Sequence, residues 1–247
     1  MNPAKVLFVD VETAPNLGYV WGIWEQNVID IKKNWYMLSF AVKWANKSKI
    51  QTFCLPDYPR FKSHKEDDKH LVSCLWDFLD EADLVVAHNG DRFDLRKSNA
   101  RFIANGLPPP SYYKSVDTLK VARKHFKFDS NRLDDLGKYL SVGRKIPHTG
   151  KHLWLGCMQG HKQSWQTMRR YNTQDVALLE RVYLKLRPWT TTHPNLGFYS
   201  RELAACPVCE SKHVVRNGRR PQRTGYRQQF VCKSCTHQFV AGPLQRY

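Results

Sequence analysis

Apolar positions first gather at Val6-Leu7-Phe8-Val9, and Asp10, Val11, Glu12 and Thr13 follow directly. The run is short and β-branched, which predicts a buried strand rather than a helix. Side chains alternate along a strand, so Asp10 and Glu12 share one face. Further strands are predicted near residues 36–44 and 50–55, with a hairpin turn at Asn46-Lys47-Ser48-Lys49. Residues 56–66 read as loop. Leu71, Val72, Leu75, Trp76, Phe78 and Leu79 fall at helical spacing and predict a helix over 67–81. A strand at 83–87 turns at Asn89-Gly90 into a helix from about 91 to 105, which Gly106 and Pro108-Pro109-Pro110 end. Val116 and Asp117 are expected to close a short fifth strand. Helices are expected over 118–126, 131–140 and 161–187. Strands first, then strands alternating with helices, predict an α/β mixed sheet with flanking helices. One aromatic stretch, Tyr19-Val20-Trp21-Gly22-Ile23-Trp24, breaks the pattern. Such rings either stack on bases or cover a core edge, and the second is the expectation here.

Periodicity fades between 186 and 205, where Pro188, three threonines, Pro194 and Gly197 predict a linker. The expected organisation is a main domain over 1–187, a linker over 188–205 and a small module over 206–247. The chain has 247 residues, 42% of them hydrophobic, which leaves room for a sizeable core and argues against global disorder. Lysine and arginine number 39 against 22 acids, a formal charge of +17. That excess favours a polyanionic partner, most simply nucleic acid. A membrane partner is not expected. No basic helix shows a clean apolar face, no signal peptide is recognisable, and no apolar stretch reaches spanning length. The seven cysteines then point to a reducing intracellular compartment, the cytoplasm. Cys54, Cys74 and Cys157 are odd in number, argue against a disulfide scaffold, and read as small buried residues.

Two carboxylates side by side on a buried strand repel one another and resist desolvation. A divalent cation between them is the usual answer. A second acidic stretch, His88-Asn89-Gly90-Asp91-Arg92-Phe93-Asp94, runs from strand into helix and places Asp94 where the helix dipole favours an anion. Alone, Asp94 reads as an ordinary helix-start aspartate. A third stretch is Tyr171-Asn172-Thr173-Gln174-Asp175. Positions i and i+4 share a helix face, so Tyr171 and Asp175 project together while Val176, Leu179 and Val182 pack inward.

Taken together and in this order, Asp-x-Glu on a strand, Asn-Gly-x-x-Phe-Asp after a strand and Tyr-x-x-x-Asp on a late helix resemble the motifs of the DEDD exonuclease superfamily, tyrosine subclass. The likeness is to the proofreading exonuclease domain of family-B DNA polymerases and its stand-alone relatives. It covers roughly residues 5–187, and Asp117-Thr118-Leu119-Lys120 and Asn131-Arg132-Leu133-Asp134-Asp135-Leu136 add to it. The resemblance implies an RNase H-like fold and a 3′–5′ exonuclease that releases nucleoside monophosphates from DNA. It implies metal ligands Asp10, Glu12, Asp94 and Asp175 around two Mg²⁺ or Mn²⁺ ions, which suits hard oxygen donors. Tyr171 would orient the attacking water, since a phenol is a poor base at neutral pH. Asn89 and Phe93 match positions near the terminal nucleotide, and Phe93 reads equally as core. Asp117 is expected to cap the next helix rather than join the acids. The basic stretch 144–152 reads as a phosphate-gripping or a solvated loop. No metal site is expected at His148 and His152, because Pro147 and Gly150 argue against a helix there.

Near the C-terminus, Cys206-Pro207-Val208-Cys209 and Cys232-Lys233-Ser234-Cys235 stand 22 residues apart. Two such turns, each followed by strand-like sequence, fit one structural Zn²⁺ held by four thiolates. So short a segment buries too little to fold without its metal. It resembles the zinc ribbon at the start of some insertion-sequence transposition proteins. By that likeness Arg219, Arg220 and Arg223 would contact phosphates, and Tyr226 or Phe230 would be available for stacking. A protein-docking tail is the plainer alternative. For the whole chain, an endonuclease or ribonuclease on the same scaffold and a non-catalytic nucleic-acid-binding adaptor remain as competing readings.

Overall fold

A computed structural model describes residues 3–24, 26–147, 149–200 and 204–246. The chain enters through β1 (Val6–Thr13), makes a small hairpin of β2 (Leu17–Tyr19) and β3 (Asp30–Lys33), and returns as β4 (Met37–Trp44) and β5 (Gln51–Cys54). Next come α1 (Lys69–Glu81), β6 (Leu84–Ala87), α2 (Asp94–Ala104) and β7 (Lys114–Asp117). The helices α3 (Thr118–His125), α4 (Leu133–Tyr139), α5 (Lys151–Gln159) and α6 (Lys162–Leu186) complete the main body.

The five-stranded sheet runs β5-β4-β1-β6-β7. A short turn joins β4 to β5, which makes that pair antiparallel, and β1 also pairs antiparallel with β4. The α1 and α2 crossovers bring β6 and β7 back parallel to β1, as parallel pairing requires a long connection. The result is the mixed α/β sheet that the apolar pattern predicts.

Alternation along β1 sorts its side chains between two cores. Leu7, Val9 and Val11 pack with Leu71, Leu75 and Leu79 of α1. Val6 and Phe8 pack with Val176, Leu179 and Val182 of α6. The period of two therefore carries Asp10 and Glu12 to the face that α6 covers. With 25 residues, α6 is about 37 Å long and reaches across the sheet. Trp165, Met168 and Tyr171 in its first half join the first core, and its later turns join the second.

Three features differ from expectation. The 144–152 stretch is not loop throughout, because α5 starts at Lys151. Leu153 and Cys157, four apart, bury one side of this helix, and left-handed Gly160 ends it. His148 lies outside the described residues. The hairpin after β1 was not legible as strand. Its tip overturns the core-edge expectation, since Trp21 is 88%, Ile23 86% and Trp24 78% exposed. Finally, the stretch after α6 holds a 3₁₀ turn, Arg187–Trp189, and a short helix, α7 (Gly197–Ser200), and Leu196 is buried in the second core. Residues 201–203 lie outside the described residues.

The C-terminal module is a three-stranded antiparallel sheet, β8 (Val214–Gln222), β9 (Gly225–Cys232) and β10 (Gln238–Gln245), in the order β10-β9-β8. Its core is small: Cys206, Val208, Cys232 and Cys235, with Val214 and Phe239 against them. Among the described residues, two hydrogen bonds tie it to the stretch after α6. His237 Nδ1 lies 2.8 Å from the Pro188 carbonyl, and the Leu196 N–H donates to the Pro207 carbonyl at 2.8 Å. Among the described residues no helix is long and apolar enough to cross a membrane.

Candidate functional site

Asp10 and Glu12 on β1 meet Asp175 on α6, and each offers a carboxylate oxygen within 4.8 Å of the others. Asp175 stands 163 or more positions from the two β1 acids in sequence, and the packing of α6 on the β1 face joins them. Asp175 is buried, while Asp10 and Glu12 are half-buried. Asp94, at the first turn of α2, stands beside them. Its Oδ1 accepts the backbone N–H of Val11, the residue between the two β1 acids, at 2.8 Å.

Neighbouring side chains fix the orientation of each acid. Asn172 Nδ2 donates to Asp10 Oδ2 at 2.5 Å, and Asn172 Oδ1 accepts from Ser39 Oγ at 3.1 Å. Ser39 lies directly opposite Glu12 in the antiparallel ladder. The indole Nε1 of Trp154 donates to Glu12 Oε2 at 3.0 Å, and its ring meets Tyr171 edge-on at 5.9 Å. Lys145 Nζ donates both to Asp175 Oδ2 at 2.5 Å and to the Tyr171 hydroxyl at 3.0 Å.

The electrostatics follow from four carboxylates around one ammonium. Burial, and then the charges of Asp175, Glu12 and Asp94, push the Asp10 carboxyl well above its usual range. Burial and Asp175 raise Glu12 to about 8. Burial raises Asp94 to about 7 against the hydrogen bond from Val11. Burial and the neighbouring Asp175 and Glu12 hold the Tyr171 phenol above its ordinary value, so it stays protonated at neutral pH. Burial works to lower the Lys145 ammonium, but Asp175, Tyr171 and Asp10 more than reverse it and keep the ammonium charged. Clustered all-oxygen donors with excess negative charge are the chemistry of a hard-cation site.

Asp117 caps α3 as expected. Its carboxylate accepts from the Leu119 and Lys120 backbones and from the Asn89 N–H at 2.9 Å, which ties the turn before α2 to α3. Asn89 itself sits in the left-handed region at φ 64°, where asparagine is tolerated. Phe93 is 37% exposed, with Lys97 Nζ 5.9 Å from its ring. Lys145, Trp154, Asn172 and Ser39 were not singled out from sequence. Asn172 offered one signal, a polar residue on the turn between Tyr171 and Asp175. Lys145 offered only its charge, within a loop without period.

A second cluster lies in the C-terminal module. Cys206, Cys209, Cys232 and Cys235 bring their sulfurs within 4.8 Å of one another. Cys206–Cys235 and Cys209–Cys232 are each 3.6 Å apart. A tetrahedral ion with bonds of about 2.3 Å to sulfur would set its ligands about 3.8 Å apart, so the four thiols fit such an ion. The Cys206 thiol beside it draws the Cys209 thiol down to about 5. Arg219, Arg220 and Arg223 are exposed on or beside β8 and β9. The two rings expected to be available for stacking make contacts within the module. Phe230 stacks on Phe239 at 5.7 Å, and Arg219 lies 4.4 Å from the centre of the Tyr226 ring.

The strand order, the helix across the central strand and the acids between them define an RNase H-like α/β fold. Residues 7–187 match the family model described as RNase_H superfamily, and the chain belongs to that superfamily. No curated protein matches it. Among solved structures it is similar to the family B DNA polymerase from the hyperthermophilic archaeon Pyrobaculum calidifontis. Sequence identity is 20% and the TM-score is 0.57, over 76% of this chain and 25% of that chain. The likeness is therefore one of fold, to a quarter of the polymerase.

Proposed function

We propose that the chain is a metal-dependent 3′–5′ exonuclease that hydrolyses phosphodiester bonds of DNA and releases nucleoside monophosphates. The observation that carries this reading is the meeting of Asp10, Glu12 and Asp175, from opposite ends of the main domain, within 4.8 Å. Asp94 beside Val11 completes the acid set. These four residues would hold two Mg²⁺ or Mn²⁺ ions, whose chemistry when bound is to activate water and stabilise the leaving oxygen. The protonated Tyr171 hydroxyl aligns the water, and Lys145, donating to both groups, holds that hydroxyl and the Asp175 carboxylate in fixed relation. Trp154 and Asn172 hold Glu12 and Asp10 in single orientations, which preserves the geometry that the reaction needs.

In the C-terminal module, Cys206, Cys209, Cys232 and Cys235 would hold a structural Zn²⁺, and the module would add nucleic-acid affinity through Arg219, Arg220 and Arg223. The chain's +17 charge supports such a partner. The test is incubation with Mg²⁺ or Mn²⁺ and a 5′-labelled single-stranded oligonucleotide. A ladder shortening from the 3′ end, with mononucleotide product, is expected. Cutting of circular single-stranded DNA would instead identify an endonuclease.

A further inference from the structure

The exposed hairpin after β1 has no part in the chemistry above, yet it springs from the strand that carries Asp10 and Glu12. Its base is firmly held. The Trp35 backbone N–H donates to Asn16 Oδ1 at 2.8 Å, and Leu17, Gly18 and Tyr19 pair with Lys33, Ile31 and Asp30. Its described tip carries Trp21, Ile23 and Trp24, with Tyr19, Val28 and Ile29 also about half exposed. Isolated apolar residues are normal on a surface, whereas a contiguous group of this size marks an interaction site.

The space beside the hairpin's base indicates the partner. A cavity of about 570 Å³ opens at Asn16 and Trp35, and Thr13, Lys97, Lys151 and Trp154 also line it. It touches the acid cluster through Trp154, which donates to Glu12. Lys97 Nζ lies 3.6 Å from the centre of the Trp35 ring. Among the described residues no carboxylate lines the cavity, so Lys97 and Lys151 give it positive charge, and Trp35 and Trp154 give it aromatic faces. A ligand with flat aromatic faces on an anionic backbone fits that combination. A protein segment would match the apolar tip but would leave the lysine-lined passage without a role.

We propose that the 17–33 hairpin is a stacking platform for unpaired bases of the strand whose end lies at the acid cluster, with Trp21 and Trp24 as the stacking rings. This rests on the nuclease reading given above. The bases must be unpaired, because a ring stacks only on a base face released from its neighbours. From Glu12 to Trp21 is nine residues, a reach of at most about 32 Å. Trp21, Ile23 and Trp24 are absent from the lining of the cavity beside Trp154, so the platform engages nucleotides beyond those next to the cut, and only substrates longer than a few nucleotides reach it.

The test compares the full chain with Trp21→Ala/Trp24→Ala on single strands of three and of roughly a dozen nucleotides. With Mn²⁺, kcat/KM for the long strand should fall at least tenfold, carried by KM, since each base–ring stack is worth several-fold or more. The trinucleotide should change less than about twofold. Trp21→Phe/Trp24→Phe keeps flat rings and should restore most of the loss. Equal losses at both lengths, or none at either, would overturn the platform and leave the nuclease reading intact. Should the wild-type chain cleave nothing, anisotropy with the labelled long strand decides separately. Weaker binding by the alanine pair then supports the platform and sinks the nuclease. A dimer that the alanine pair dissolves would assign the patch to self-association instead.

Discussion

The acid cluster and the thiol cluster solve the same problem in opposite ways. Each gathers four negative-going side chains into one small space. The acids come from distant parts of the chain, and two hydrophobic cores hold them in place. Phe8, Phe40, Leu75, Leu84 and Met168 are fully buried around them, so the frame stands whether or not an ion is present. The thiols come from two local turns, and the core around them is little more than Val208, Val214 and Phe239. The strand β8 is exposed along nearly its whole length. In the main domain the fold makes the site, and in the module, on the structural-metal reading proposed above, the site would make the fold.

The strongest way to break that contrast is through Asp175. Asp175→Asn removes one charge from a crowded acid group while keeping the side-chain shape. Hydrolysis should fall on the order of a thousandfold, since an electrostatic contributor at the reaction centre is commonly worth that much. The fold should scarcely respond. Relief of repulsion on Asp10 and Glu12 offsets the ion pair lost by Lys145, and we expect Tm within about 4 °C of the parent, near 1 kcal/mol. Thermal melting beside the oligonucleotide assay checks both halves. A large drop in Tm would mean that the acids hold the domain together, and the contrast would fail.

Cys206→Ser should do the reverse. With one thiol gone the module is expected to lose its backbone order, because its few apolar contacts cannot offset chain entropy. Hydrogen exchange would then show fast amides over residues 206–245 and unchanged protection in β1, β4 and β6. Hydrolysis of short substrates should fall only a few-fold. Loss of protection throughout the sheet would show that the two regions fold as one unit.

The same contrast explains what the sequence made legible. Both clusters were readable because their ligands sit in strongly patterned surroundings. Asp10 and Glu12 interrupt an apolar strand, Tyr171 and Asp175 share a helix face, and the cysteines repeat at fixed spacing. The residues that orient the acids were not readable. Lys145 lies in a proline- and glycine-containing loop, and only the course of that loop over α6 brings its ammonium to Asp175. Asn172 and Ser39 face each other across the gap between α6 and β4, a contact that no local period encodes. The helix α5 is short and depends on burial of Leu153 and Cys157. The tryptophans at the hairpin tip show the limit most clearly. The same aromatic run serves a core edge or an exposed tip, and the side of the backbone on which it falls is a tertiary fact.

The smallest expected effect concerns the junction between the two regions. His193 sits behind α6, with Nε2 2.7 Å from the Tyr183 hydroxyl and Nδ1 2.7 Å from the Pro194 carbonyl. The carbonyl can only accept, so Nδ1 carries the proton and Nε2 accepts from the phenol. Burial lowers this imidazole to about 4. Between about 6.5 and 4 the unfolded chain therefore binds a proton that the folded chain refuses, so the folded state loses stability as pH falls through that window. The full effect is at most about 3 kcal/mol, reached only near pH 4. His193→Gln replaces the imidazole with a group that does not titrate. Its Tm should therefore decline less than the parent's between pH 7 and pH 4.5, by a few degrees. His88, also lowered to about 4, titrates in both proteins and cancels from the difference. Identical slopes would mean that the junction around His193 opens before the main domain melts, so that module and domain are joined more loosely than the buried imidazole implies.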